Sequence, residues 1–284
     1  MTVETARLMD QIRRSDAVGH VEKVIKKKRC RRKARILLKR PVPVVSATLQ
    51  RLYQSCREVF KGPGTVPSPG DVQKLCHILD GMKPEDVGLS RDLQFFNPKD
   101  VVEGSSRVSC ATIYQCENFS LCIFFLPATA VIPLHNHPEM TVFTKLLLGT
   151  MHVKAYDWAN PLNCDKLASS SRSRLARIKA NRRFKAPCDT SVLYPTSGGN
   201  IHEFTAVTPC AVLDVMGPPY SKDDGRDSSY YKETQCGVSS NGEELAKVED
   251  DEDCYGWLEE IEMPKESDMD RIEYLGPRVL DFTT

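Results

Sequence analysis

The 284-residue chain has no Cys-x-x-Cys pair, no apolar stretch ahead of a cleavage site at its N-terminus, and no internal repeat. Each absence removes a class of protein. Without paired cysteines there is neither a zinc knuckle nor a redox dithiol. The 11 cysteines are odd in number and scattered singly, which does not fit a secreted disulfide scaffold. They are expected to serve as small buried apolar residues in a reducing compartment. The missing signal region points away from export. Long hydrophobic runs are also lacking: Leu121 to Ile132 is the longest, is broken by Pro127, and is too short to cross a bilayer. No membrane association is expected.

What is present is a 40% hydrophobic fraction, enough for one sizeable core, with a mean hydropathy of −0.37 that leaves room for polar tails. The formal net charge of +1 hides an asymmetry. Residues 1–44 carry 14 Lys/Arg against 4 Asp/Glu, whereas residues 221–284 carry 7 against 19. The basic run Lys26 to Arg35 is either a nuclear import signal or a solvated tail, and the sequence leaves both open. Direct nucleic-acid binding is not expected, because no helix-turn-helix, zinc site or aromatic platform accompanies the run.

Spacing divides the chain into four parts. Residues 1–44 are expected to form a poorly ordered basic segment. Residues 45–104 form a helical part: Leu49, Leu52, Tyr53, Cys56, Val59 and Phe60 recur at helical intervals, and a second helix runs from about Asp71 to Leu79 with Gly81 at its end. These helices are expected to cover one end of a β-domain at 105–220. There, short runs rich in β-branched and aromatic residues alternate with Gly and Pro, which argues for a sandwich or barrel. Within that domain the Ser/Arg/Lys-rich stretch 160–190 is expected to be a surface excursion. Residues 221–284 form an acidic extension, expected to pack partly on the barrel with Cys236 to Asp253 loose.

The chemistry-bearing pattern is Pro133-Leu134-His135-Asn136-His137-Pro138-Glu139, read with Gly199-Asn200-Ile201-His202. Two histidines at i and i+2 on an extended strand face the same way. The glycines before His202 allow a tight turn that brings a third imidazole close. Three nitrogen ligands with no carboxylate among them would bind a metal and leave coordination positions open. Fe(II) suits such a site, and zinc with a bound water competes for it.

These stretches resemble the cupins. Pro133 to His137, with Gly149 twelve residues past His137, is similar to the first cupin motif, and Gly199 to His202 to the second. Where the usual cupin carries a glutamate ligand, seven residues before that glycine, this chain has Val142. Three-histidine cupins without the carboxylate resemble thiol dioxygenases. The segments Gly149 to Trp158 and Leu213 to Tyr220 resemble the plant cysteine oxidases, relatives of the animal cysteamine dioxygenase.

The resemblance implies a mainly β fold, a cupin-type double-stranded β-helix (jelly-roll barrel) with N-terminal helices packed on it. It implies Fe(II) held by His135, His137 and His202, and oxidation by O2 of an N-terminal cysteine on protein or peptide substrates to the sulfinic acid. The targets it implies are ethylene-response transcription factors of the arginine N-degron pathway, which would make the enzyme an oxygen sensor. Asp214 matches a carboxylate near the metal, suited to fixing a histidine tautomer, to receiving the substrate's α-ammonium group, or merely to capping a turn. Tyr220 matches a pocket tyrosine, suited to hydrogen-bonding dioxygen or to a structural role beside Pro218-Pro219. A monomer in cytoplasm and nucleus is expected.

Four further residues stand near this pattern. Cys210 reads as a core residue and not as half of a cysteine–tyrosine crosslink, and His152 as an ordinary strand histidine. Lys145 and Arg183 read as surface cations. Two rival functions remain. One is a dioxygenase of free cysteine or cysteamine, though no Arg lies near the motifs in sequence to take a free carboxylate. The other is a non-enzymatic nuclear cupin.

Overall fold

Two serines begin the helical part of the chain. In the computed structural model, which describes residues 45–90, 107–159, 173–234 and 255–281, the hydroxyls of Ser46 and Ser68 accept the backbone N–H groups of Leu49 and Asp71 at 3.2 Å each. Both are N-caps, satisfying donors that a helix end leaves free. They start α1 (Ala47–Val59) and α2 (Pro69–Asp80). A short 3-10 turn follows at Pro84–Val87.

Spacing alone puts these helices at one end of the β-domain. The structure instead lays them across the outer face of a sheet. Leu49, Leu52, Cys56 and Phe60 of the first helix region and Leu75 and Leu79 of α2 share one buried cluster with Leu121, Ile123, Phe143, Leu213 and Val215. Each such side chain contributes roughly 1.5–3 kcal/mol when fully buried.

Twelve strands are present among the described residues: β1 (Ser109–Gln115), β2 (Ser120–Leu126), β3 (Val131–Asn136), β4 (Thr141–Leu148), β5 (Thr150–Trp158), β6 (Ser173–Lys185), β7 (Ser191–Leu193), β8 (Ile201–Ala206), β9 (Cys210–Gly217), β10 (Tyr230–Thr234), β11 (Tyr255–Ile261) and β12 (Asp270–Ile272). They form a six-stranded sheet in the order β12-β1-β2-β9-β4-β7 and a closed ring in the order β10-β11-β6-β5-β8-β3. All pairings are antiparallel except β1 with β12. The ring closes where Tyr230 of β10 meets His135 of β3. Its interior is filled by one residue from each strand: Leu134, Tyr156, Ala176, Ile201, Tyr231 and Leu258. The fold is a cupin-type double-stranded β-helix, mainly β.

β9 lies at the centre of the first sheet and is buried at all eight positions. Its odd-numbered side chains Ala211, Leu213 and Val215 pack against the helices. The even-numbered ones, Cys210, Val212, Asp214 and Met216, therefore point to the interior between the two sheets.

Two expectations about the β-region are corrected. Residues 173–185, assigned by composition to the surface excursion, form β6, a 13-residue strand central to the ring. Arg174, Arg177, Lys179, Arg182 and Lys185 are exposed, while Leu175, Ala176, Ile178, Ala180 and Phe184 are wholly or partly covered. A strand whose outer face is mostly cationic, with Asn181 among the basic residues, has a loop-like composition. The second correction concerns residues 221–284: β10, β11 and β12 are integral members of the two sheets, so the ring cannot close at residue 220. The basic segment 1–44, residues 91–106 and 160–172, and the acidic stretch 235–254 lie outside the described residues. No described helix is long and apolar enough to cross a membrane.

The turn from β4 to β5 depends on Gly149. Its φ is +93°, and a Cβ there would collide with the carbonyl of Pro209 and the thiol of Cys210. Gly149→Ala is expected to cost about 1–3 kcal/mol through backbone strain alone, lowering the melting temperature by roughly 2–4 °C per kcal/mol. An unchanged melting curve would contradict this geometry.

Candidate metal centre

His135 and His202 stand directly opposite each other on antiparallel β3 and β8. The register of that pair slips between Ile132 and His135, around Pro133, which has no N–H to give to the ladder. After the slip His135 falls on the same face as His202. His137 lies one residue past the end of β3. The three ring centroids are 4.8–4.9 Å apart, and their ligand nitrogens all lie within 4.8 Å of one another.

Each ring is held from behind. His135 places Nδ1 at 2.7 Å from the carbonyl oxygen of Pro133, so this nitrogen donates and Nε2 keeps its lone pair. The Nδ1 of His137 is 2.8 Å from the Tyr220 hydroxyl, which itself donates to the carbonyl of Asn136 at 3.0 Å. The phenol therefore accepts from His137 Nδ1–H, and again Nε2 is left free. His202 bonds to the backbone at Gly199 and stacks on Phe204 with centroids 4.4 Å apart and planes 10° off parallel. Its Nε2 is 3.3 Å from that of His137. Two lone pairs at this distance repel unless a cation lies between them. The separation is one that two imidazole nitrogens can keep on a single first-row metal.

Burial pushes all three imidazoles below their ordinary pKa, and the charge each would place on its neighbours lowers His137 and His202 further. All three are thus neutral ligands at physiological pH. The donor set fits a metal that prefers imidazole nitrogen.

A second tier fixes the backbone beneath the rings. The buried Asn200 side chain accepts the N–H of His137 at 3.2 Å and donates to the carbonyls of His137 and Tyr194 at 2.8 Å each. The turn carrying Asn200 is held in turn by Asp157 of β5, whose carboxylate accepts the N–H groups of Gly198, Gly199 and Asn200 at 2.8–3.1 Å. Gly198 and Gly199 adopt φ of +81° and +85°, which turns successive N–H groups toward one anion. Sequence reasoning missed Asp157 and the work of Asn200. The Gly-Gly-Asn run was the available signal, but no carboxylate near it in sequence pointed to the nest.

Asp214 lies on the interior face of β9, 5% exposed, and its Oδ1 has no hydrogen-bond partner among the described residues. Burial pushes its pKa up to about 7, against a lowering hydrogen bond from Thr144. Asp214, the three histidines and Tyr220 line one cavity of about 990 Å³, whose far wall is the C-terminal segment around β12.

The remaining candidate residues lie elsewhere. Cys210 donates its thiol to the carbonyls of Thr150 and Thr208 inside a separate apolar cluster. Lys145 reaches away from the cavity to the Cys188 carbonyl at 2.6 Å and to Asp80 of α2 at 3.5 Å. His152 and Arg183 face each other across β5 and β6, and neither lines the cavity.

Comparison with known proteins places this geometry among relatives. Residues 78–279 match the PCO_ADO family model. Plant cysteine oxidase 1 of Arabidopsis thaliana is 45% identical over 240 residues, covering 82% of this chain and 80% of its own. Plant cysteine oxidase 2 of the same organism is 41% identical over 283 residues, covering 98% of each. The 2-aminoethanethiol dioxygenase of Homo sapiens is 28% identical over 204 residues, 63% of this chain and 72% of its own. Among solved structures, an RmlC-like cupin from Desulfovibrio desulfuricans overlaps 43% of this chain and 93% of its own at 19% identity and a TM-score of 0.29.

His202→Ala is expected to abolish retention of added Fe(II), measured as metal per protein after desalting. Tyr220→Phe, which deprives His137 Nδ1 of its acceptor, is expected to weaken binding about 10–100-fold. Full metal content in His202→Ala would show that the three rings are not the ligands.

Proposed function

The chain belongs to the PCO_ADO family and is a cysteine-oxidising thiol dioxygenase; we propose that its substrate is the N-terminal cysteine of a protein or peptide, oxidised to the sulfinic acid on Fe(II) held by His135, His137 and His202. The observation that carries this reading is the cavity of about 990 Å³, lined by the three imidazoles and by the buried Asp214 carboxylate. Free cysteine or cysteamine leaves most of such a space empty, whereas a few residues of extended chain fill it.

The chemistry balances without an added reductant: R–SH and O2 become R–SO2⁻ and H⁺. Bound Fe(II) supplies two positive charges that three neutral imidazoles leave uncompensated, which favours the thiolate form of the substrate. The protein's own groups do the rest. The Asp214 carboxylate receives the substrate's α-ammonium group, and that ion pair offsets part of the cost of burying both charges. Tyr220 keeps His137 in one tautomer through the 2.8 Å contact to Nδ1, so its role is orientation of a ligand. Its hydroxyl, already engaged by His137 and Asn136, is not offered to dioxygen. The apolar walls, among them Phe124, Ile132, Phe204 and Met216, limit water around the reacting thiol.

One observation favours a second reading. No Arg lies near the histidine motifs in sequence, but Arg271 and Arg278 line the cavity in space. Either guanidinium suits the carboxylate of free cysteine. With ethylene-response transcription factors as targets, as the sequence resemblance suggests, the oxidation feeds the arginine N-degron pathway and makes the enzyme an oxygen sensor active in cytoplasm and nucleus.

The test is anaerobic reconstitution with Fe(II), followed by air and either a Cys-initiated peptide or free cysteine, with product mass and O2 uptake recorded. Two oxygen atoms are expected on the peptide and none on free cysteine. Equal turnover of free cysteine would favour the second reading. No turnover of either thiol with iron retained would leave only a non-enzymatic cupin.

A further inference from the structure

We propose that the enzyme recognises four or five residues of its substrate along a floor that crosses the first sheet, and that Gln50 of α1 is a positioning residue for the wall at the far end. This deepens the reading of the substrate as a Cys-initiated peptide and rests on it. Asp214 of β9 is paired with Cys122 of β2, and Cys122 with Thr112 of β1. Cys110, two places before Thr112 and so on the same face of β1, is the partner of Arg271 on β12. All five residues line the cavity. From β9 to β12 there are three strand spacings of about 4.8 Å, roughly 14 Å, which an extended chain covers with about four residues at about 3.3 Å each. A peptide whose N-terminal cysteine lies between the histidines and Asp214 thus brings its fourth or fifth residue to the C-terminal segment.

That segment offers hydrogen-bond donors and is fastened from behind. Arg271 and Arg278 line the cavity and have no ion-pair partner among the described residues, so their guanidinium groups are left for the carbonyl oxygens of a peptide. Beyond β12 the chain is held by the helical part. The Tyr274 hydroxyl donates to the carbonyl of Val87 at 3.3 Å, and Arg57 pairs with Asp281 at 2.7 Å. The Gln50 amide donates to the carbonyl of Leu280 at 2.8 Å and accepts its N–H at 2.7 Å. Leu280 directly follows Val279 and stands two places past Arg278, both of which line the cavity. The Arg57 pair is solvent-exposed and contributes little. Both hydrogen bonds of Gln50 fall on one residue, as in a step of a β-ladder, and fix the direction of the chain there. Gln50 itself does not line the cavity, so its effect on substrate passes through this segment.

The experiment uses full-length enzyme loaded with Fe(II) and matched for metal content, with a series of C-terminally amidated, Cys-initiated peptides from two to eight residues long. In the wild type KM is expected to fall about ten-fold between the two-residue and the five-residue peptide, the effect of one hydrogen bond to a charged donor, and then to level off. Gln50→Ala is expected to raise KM about ten-fold for the five- and eight-residue peptides, with kcat and the KM of the two-residue peptide as in the wild type. Arg278→Ala, at an exposed position that leaves the Gln50 clamp in place, is expected to show the same dependence on length, and decides the matter if Gln50→Ala does not fold. A wild-type KM that does not vary with peptide length would overturn the proposal. So would a Gln50→Ala enzyme equally impaired on the shortest and longest peptides, which would mark Gln50 as a packing residue, or an unchanged KM in both variants. No turnover of any peptide by the wild type, with iron retained, would instead overturn the reading of the substrate on which this rests.

Discussion

Three imidazole lone pairs aimed at one point repel each other, and the protein has to hold them there by other means. It does so by fixing the opposite nitrogen of each ring or the backbone beneath it. Pro133 and Gly199 provide backbone partners, and Tyr220 takes the Nδ1 of His137. Beneath them the Asp157 carboxylate gathers three N–H groups and Asn200 clasps the main chain of His137. Each of these bonds contributes only about 1–3 kcal/mol net, the larger values belonging to those on the Asp157 carboxylate. Together they remove the freedom by which the rings would turn apart. Burial adds the remaining element, because a desolvated imidazole stays neutral and available to a cation.

The two sheets divide the work. The closed ring carries all three histidines on and beside β3 and β8, while the other sheet presents Asp214 across the cavity. By covering the outer face the helices bury the odd-numbered side chains of β9, while Asp214, on the opposite face, is desolvated in the interior between the two sheets.

Some of this was legible in the residues. The helical spacing of Leu49 to Phe60 and the serines ahead of both helices are local signals, and local signals survive folding. The pair His135/His137 and the glycines before His202 announced an imidazole cluster through side-chain alternation and backbone freedom. β6 was not legible, because the alternation of its covered residues is masked by a cationic outer face and by a bulge opposite Ala155 and Tyr156. β10 to β12 were hidden in an acidic tail whose composition says nothing about which edge each strand joins. Asp157 was invisible for a different reason. It serves the site through a partner about 40 residues away, Gly199.

The sequence by itself determined the donor set: three histidines, valine where a carboxylate ligand would stand, and an acid twelve residues past the last of them. Those identities decide which metals and which thiols are chemically reasonable, because ligand type does not depend on the path of the chain. Only the tertiary structure decided how those groups are poised. The lone pairs at 3.3 Å, the tautomer set by Tyr220, the acid raised to about 7 with one oxygen unpartnered, and two arginines brought to the cavity wall all arise from long-range pairings. Distance, burial and orientation belong to residues meeting across strands, and no local pattern specifies which strands will meet.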